Sequence, residues 1–190
     1  MIHFGKWVVK HKVLILVIAV LLLIPSAFGY FHTRVNYDIL NYLPDDIETM
    51  KGQEIMVDEF GTGAFSMCVV EGMSDKDISA MRKEMCKVEG VKDVLWYDSF
   101  MDLSVPIDLL PDSIKDVFVN KDADSTIMFV LYPNSISADE TMEAIESLRK
   151  VMNKRCFLSG MSAVVTDTKN LSNKETPIYV LIAVILSTIV

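Results

Sequence analysis

TIMFVLY, residues Thr126–Tyr132, is an uncharged run of β-branched, aromatic and aliphatic side chains. Its length and content read as a strand, and it is the clearest strand in the chain. Pro133-Asn134 turns the chain after it. Ser137-Ala138-Asp139-Glu140 then has the capping-box spacing, serine to glutamate three residues on, and opens a helix that buries Met142, Ile145, Leu148 and Met152. Polar Asn153-Lys154-Arg155 forms the connection to a strand over Arg155–Ser159, which Gly160 ends.

The same units recur on the N-terminal side. Phe65–Val70 is a short apolar run of buried-strand type. Ser74 caps a helix with Asp75 and Asp77 in its first turn; its apolar face is Ile78, Met81, Met85 and Val88, and Gly90 closes it. Val91–Tyr97 is the second strand. Met101–Asn120 is less regular, with a short helix over Pro111–Phe118 started by Pro111. Strand-helix-strand occurs twice, which predicts an α+β domain of the ferredoxin-like βαββαβ pattern. Right-handed crossovers place the first and third strands in the middle of the sheet and both helices on one face. The methionines of the helices read as core filling.

Further outward, Ile47–Phe60 reads as a helix with Asp45 and Asp46 as candidate caps and Glu48 in its first turn. Gly61 ends it, and Gly52 weakens its middle by up to ~1 kcal/mol. His32–Pro44 is turn-rich and extended. Before it, Val13–Phe31 is nineteen residues without a charge. As a helix it reaches roughly 28 Å, about one hydrocarbon core. Pro25, near its outer end, reads as a helix stop. A second apolar run, Ile178–Val190, follows Pro177. The expected organisation is a cytoplasmic N-terminus over 1–12, a transmembrane helix over 13–31, an extracytoplasmic domain over 32–176, and the start of a second transmembrane helix over 177–190, cut off by the last residue.

Charge sets the expected orientation. The formal net charge is −8, yet Lys6, Lys10 and Lys12 precede the first apolar run with no acidic residue among them. That bias predicts a cytoplasmic N-terminus, with the acidic segment outside the cell membrane in a multi-pass protein. Arg34–Glu175 carries net −11, which argues against nucleic acid as a partner and against tight docking on anionic lipid heads. Two other readings compete for the apolar runs. Val13–Ile24 with Ala27 and Gly29 has the layout of a cleaved signal peptide, but Phe28, Tyr30 and Phe31 extend the run with interface-type aromatics. Ile178–Val190 as a removable lipid-anchor tail lacks the usual polar spacer.

Tyr42-Leu43-Pro44, then a helix ending in Glu59-Phe60-Gly61, then Leu158-Ser159-Gly160 after the last strand with Asp167 soon after, lie in order between the two apolar runs. This layout resembles the N-terminal part of a resistance-nodulation-division (RND) superfamily exporter of the MmpL-like, or predicted-exporter, type. The resemblance implies that residues 32–176 form a porter domain. It implies export of hydrophobic or amphiphilic cargo driven by the proton gradient. It also implies as partners the lipid bilayer, the remaining transmembrane bundle, a second porter domain, and further copies in a homo-oligomer. In such exporters the proton-relay carboxylates lie on a later membrane helix. The alternative reading of the same layout is an extracytoplasmic binding or sensing domain held by membrane helices, without transport.

No catalytic, cofactor or metal residue is assigned, and an enzyme is not expected. The chain has no G-x-S-x-G, Walker loop, HExxH or G-x-G-x-x-G. Gly61-Thr62-Gly63 reads as a turn, His3, His11 and His32 as solvated or interfacial side chains, and Asp45-Asp46 and Asp139-Glu140 as helix-start charges. Cys68, Cys86 and Cys156 have no metal spacing. Cys68 on the first strand and Cys156 on the fourth are neighbours in the expected fold. Both a disulfide and a pair of free buried thiols fit that placement.

Overall fold

The computed structural model describes residues 2–33, 35–37, 39–100, 111–120 and 123–189. The chain divides into two compact units, Met1–Asn36 and Tyr37–Val190. The first is helical: α1 (Ile2–Lys10), a turn at His11, and α2 (Lys12–His32). Over Lys12–Tyr30, α2 is long and apolar enough to cross a membrane. Pro25 lies inside α2 rather than ending it, and the helix runs on until Thr33 turns extended. A proline forfeits one ladder bond, and the remaining ladder bonds on either side carry the helix past it.

The second unit is α+β with an antiparallel sheet. After a 3-10 turn (Ile39–Tyr42) come α3 (Glu48–Asp58), β1 (Ala64–Glu71), α4 (Asp75–Met85) and β2 (Asp93–Leu95). There follow α5 (Asp112–Phe118), β3 (Val119–Asn120), β4 (Ser125–Tyr132), α6 (Asp139–Val151), β5 (Cys156–Ser159) and α7 (Met161–Ile189). The strand order is β2-β4-β1-β5, with β3 also on β4, and every pairing is antiparallel.

Burial alternates along the sheet with the two-residue period of a strand. Ala64, Ser66, Cys68 and Val70 of β1 and Thr126, Met128, Val130 and Tyr132 of β4 are buried. They pack under Ile78, Met81 and Met85 of α4 and Ala144, Ile145 and Leu148 of α6. The opposite face bears Phe65, Met67, Val69, Phe129 and Phe157 and is more open. Phe118 meets Phe129 edge-on there, with ring centroids 5.9 Å apart.

Several expectations need correction. The helix cap expected at Asp45 or Asp46 falls instead at Ile47, whose side chain cannot accept a bond. The cap expected at Ser137 falls one residue later, at Ala138, which has no side-chain cap bond. The strand expected over Val91–Tyr97 pairs only over Asp93–Leu95, because Trp96 leaves the ladder to bury its ring and donate its indole N–H to Thr126 Oγ1 at 2.8 Å. The two-residue β3 was not expected at all. Pro177 does not begin a new helix. α7 runs for 29 residues through it, from the end of β5 into the apolar run. The irregular stretch 101–110 lies outside the described residues.

Two capping expectations match the structure. Ser74 Oγ accepts from Asp77 N at 3.3 Å, and Gly61 closes α3 in the left-handed region at φ +58.

Candidate functional site

Three connections meet at one end of the sheet. β1 leaves through Glu71-Gly72-Met73 into the capped start of α4. The turn before β4 passes Asp124, and α6 hands over to β5 through Arg155. Gly72 ties them together: its N–H donates to Asp124 O at 2.9 Å, and its carbonyl accepts from Arg155 Nη1 at 2.6 Å. Gly72 sits at φ +58 and a Cβ there would meet Arg155 Nη1 at 3.2 Å, so the position favours glycine and any other side chain is strained there. Beside it opens a cleft of about 260 Å³, with Val70, Met73, Ile78 and Val119 as apolar wall and Asp75, Asp124 and Ser125 among its polar lining. Burial and a hydrogen bond to the Asp75 carboxylate raise the Tyr97 hydroxyl pKa, holding it protonated as a donor.

Behind Met73 lies a cluster of sulfur. In the β1–β5 ladder Cys68 pairs with Leu158 and Cys156 with Val70, so the two cysteines are diagonal neighbours on the helix-facing side. Both thiols are free. Cys68 is fully buried, whereas Cys156 keeps part of its surface open. Cys156 Sγ is 3.4 Å from Met81 Sδ and 4.0 Å from Met73 Sδ. A hydrogen bond from Cys68 lowers the Cys156 thiol pKa against the opposing effect of burial, and the same contact together with burial pushes Cys68 up. Cys156 is therefore the thiol of the pair that gives up its proton first. Cys86 stands apart, 3.8 Å from Asp93 Oδ1, with its thiol raised chiefly by burial.

A second polar group lies under α4. Arg82 Nε is 2.9 Å from Asp98 Oδ1, and side-chain exposures of 17% and 6% make this a largely buried ion pair. Ser79 Oγ donates to Asp98 Oδ2 at 2.8 Å, and Arg82 Nη1 donates to Val94 O at 3.1 Å. Removing one member leaves an uncompensated charge, so this pair holds α4 to the end of β2.

The remaining residues singled out in the sequence do not gather into a site. His11 and His32 each bond a backbone carbonyl four residues back, and Asp139 pairs with Lys169 at 3.0 Å. Asp167 forms a two-point ion pair with Arg149, at 2.5 and 2.9 Å, between α7 and α6. Gly61-Thr62-Gly63, expected as a turn, is instead the approach to β1; the turn lies just before it at Glu59-Phe60. Among the described residues no three His, Cys, Asp or Glu side chains gather as for a metal ion. Sequence reading places the two thiols side by side but misses the methionines: Met81 shares the i, i+3, i+4 spacing of an ordinary core face, and Met73 lies in the connection between β1 and α4.

No family model matches the chain, and no curated protein is similar to it in sequence.

Proposed function

We propose that this chain forms the N-terminal part of an RND-type membrane exporter. In this reading residues 32–176 are a ferredoxin-like porter domain outside the cell membrane, flanked by membrane helices over 13–31 and from 177 onward. It moves hydrophobic or amphiphilic compounds at the expense of the proton gradient.

The observation that carries the reading is α7. A porter domain driven from a membrane bundle needs a stiff connection to it, and α7 is one helix from Met161, at the edge of the sheet, to Ile189 in the apolar run. Its first half is fixed to the domain. Ser162 Oγ donates to Phe65 O at 2.9 Å, Ala163, Val165 and Thr166 are buried, and Arg149–Asp167 and Glu146–Asn170 link it to α6. The order β2-β4-β1-β5, with β1 and β4 central and α4 and α6 on one face, also supports the porter assignment.

The chain's role in this reading is mechanical and steric: it lines part of a cargo path, and no described group is asked to do chemistry. Reporter fusions test the topology first. A reporter after Asp58 is expected to be active outside the membrane and one before Val13 inside; labelling of the N-terminus from outside intact cells rejects the arrangement. The gene sequence beyond residue 190 tests the exporter itself. Several more apolar spans, an intramembrane carboxylate and a second copy of the layout are expected. Continuation into a cytoplasmic signalling domain replaces the exporter with the sensing alternative.

A further inference from the structure

The structure assigns, we propose, a binding site for a soft monovalent cation, Cu(I) or Ag(I), to the sulfur cluster of Cys68, Cys156, Met81 and Met73.

Four observations carry it. The first is ligand type: two thiols and two thioethers are the donors that select Cu(I) over the harder divalent ions, which favour imidazole and carboxylate. The second is convergence. Two independent methionine sulfurs lie within 4.0 Å of one cysteine sulfur, and the second cysteine is its diagonal neighbour on the paired strand. The third is support. Cys68 and Cys156 stand on paired strands, and Met81 stands on α4, which the Arg82–Asp98 pair and the Ser74 cap hold in place. Three of the four donors therefore project from regular elements, as a pre-organised site requires. The fourth is access. Met73 is part-exposed and lines the end cleft, so one of the four donors is reached directly from solvent.

Binding involves no electron transfer. Cu(I) replaces the two thiol protons, which pass to solvent, and the thioethers bind as neutral donors. The bound group carries one net negative charge. Thiols must lose protons before they bind the ion, so affinity rises with pH.

The test uses the full chain in detergent, reduced and then kept free of oxygen and reductant. It is titrated with Cu(I) in competition with a chromophoric Cu(I) chelator. One equivalent is expected to bind, with proton release, and Ag(I) is expected to displace it while Zn(II) does not. Cys156→Ser should weaken binding by more than the ~10–100-fold that loss of an outer-shell partner costs. Met81→Leu preserves volume and packing, so it reads the thioether apart from folding; it should weaken binding by about 10-fold. Cys86→Ser should leave binding unchanged. Retention of Cu(I) by the Cys68→Ser/Cys156→Ser double variant overturns the proposal. So does unaltered affinity in Met81→Leu, or failure of the reduced chain to compete with the chelator at all. None of these outcomes depends on export, so the exporter reading stands or falls separately.

Discussion

α3 and α4 are both eleven residues long, and both precede or follow β1 directly, yet α4 buries Ile78, Ser79, Met81 and Met85 while α3 buries none of its residues. The cause is visible in the spacing. The apolar residues of α4 recur at intervals of three and four and form one stripe. Those of α3 bunch toward its end, where Ile55, Met56 and Val57 are consecutive and remain exposed, as does Phe60 just beyond it. α4 also lies between two strands of the sheet and is covered by it. α3 is held by Gln53 Nε2 donating to Gly63 O at 2.7 Å and by Lys92 Nζ, which donates to Phe60 O and Thr62 Oγ1. Helical periodicity thus reports that a helix forms; only a stripe that meets a partner surface reports where it packs.

Substitutions in the two settings should separate widely. Leu148, fully buried on the inner face of α6, should cost about 2–5 kcal/mol as Leu148→Ala, the usual range for a core cavity. Ile55→Ala on α3 should shift stability by no more than ~0.5 kcal/mol. Urea unfolding of the full chain, followed by Trp96 fluorescence, measures both; equal losses would show that α3 is packed after all.

Glycines sharpen the contrast. Gly90, after α4, holds φ +83, and a Cβ there would lie 2.9 Å from Glu140 O. Gly90→Ala should therefore destabilise by about 1–2 kcal/mol or more. Gly52, inside α3, has open space around it, and Gly52→Ala should stabilise α3 by up to ~1 kcal/mol. Helicity by circular dichroism and the denaturation midpoint should move in opposite directions for the two variants. A destabilising Gly52→Ala contradicts an open α3.

The smallest difference lies at the caps. Ser74→Ala removes an observed cap bond and should cost about 1 kcal/mol. Asp46→Ala removes no side-chain cap bond from α3, whose cap residue is Ile47, and should cost no more than ~0.5 kcal/mol. Thermal melts of the two variants side by side provide the comparison, and a larger loss at Asp46 would contradict the cap assignment.

These cases also mark how much could be read from sequence. β1, β4, α4 and α6 are legible because period, length and flanking turn residues agree locally. The first half of α7 is not. Its buried side chains are Ser162, Ala163, Val165 and Thr166, two of them polar and one an alanine, so only Val165 adds much apolar signal, and their burial depends on close approach to β1 and α6. β3 is too short for any period, and the strand ending at Leu95 was overextended because Trp96 and Tyr97 are β-formers that here serve as core. In the candidate site the juxtaposition of Cys68 and Cys156 follows from strand order. The convergence of Met73 and Met81 on Cys156 depends on rotamers and helix placement, which no pattern encodes.

The unbroken α7 has a consequence in angle as well as distance. At 1.5 Å per residue its 29 residues make a shaft of about 43 Å, and each residue also advances it by ~100°. Twisting the apolar end therefore turns the Asp167 end, and the torque reaches α6 through Arg149. Phase becomes a design variable of the shaft: one residue inserted after Thr176 would swing the apolar face by ~100°, whereas seven would return it to within about 20°.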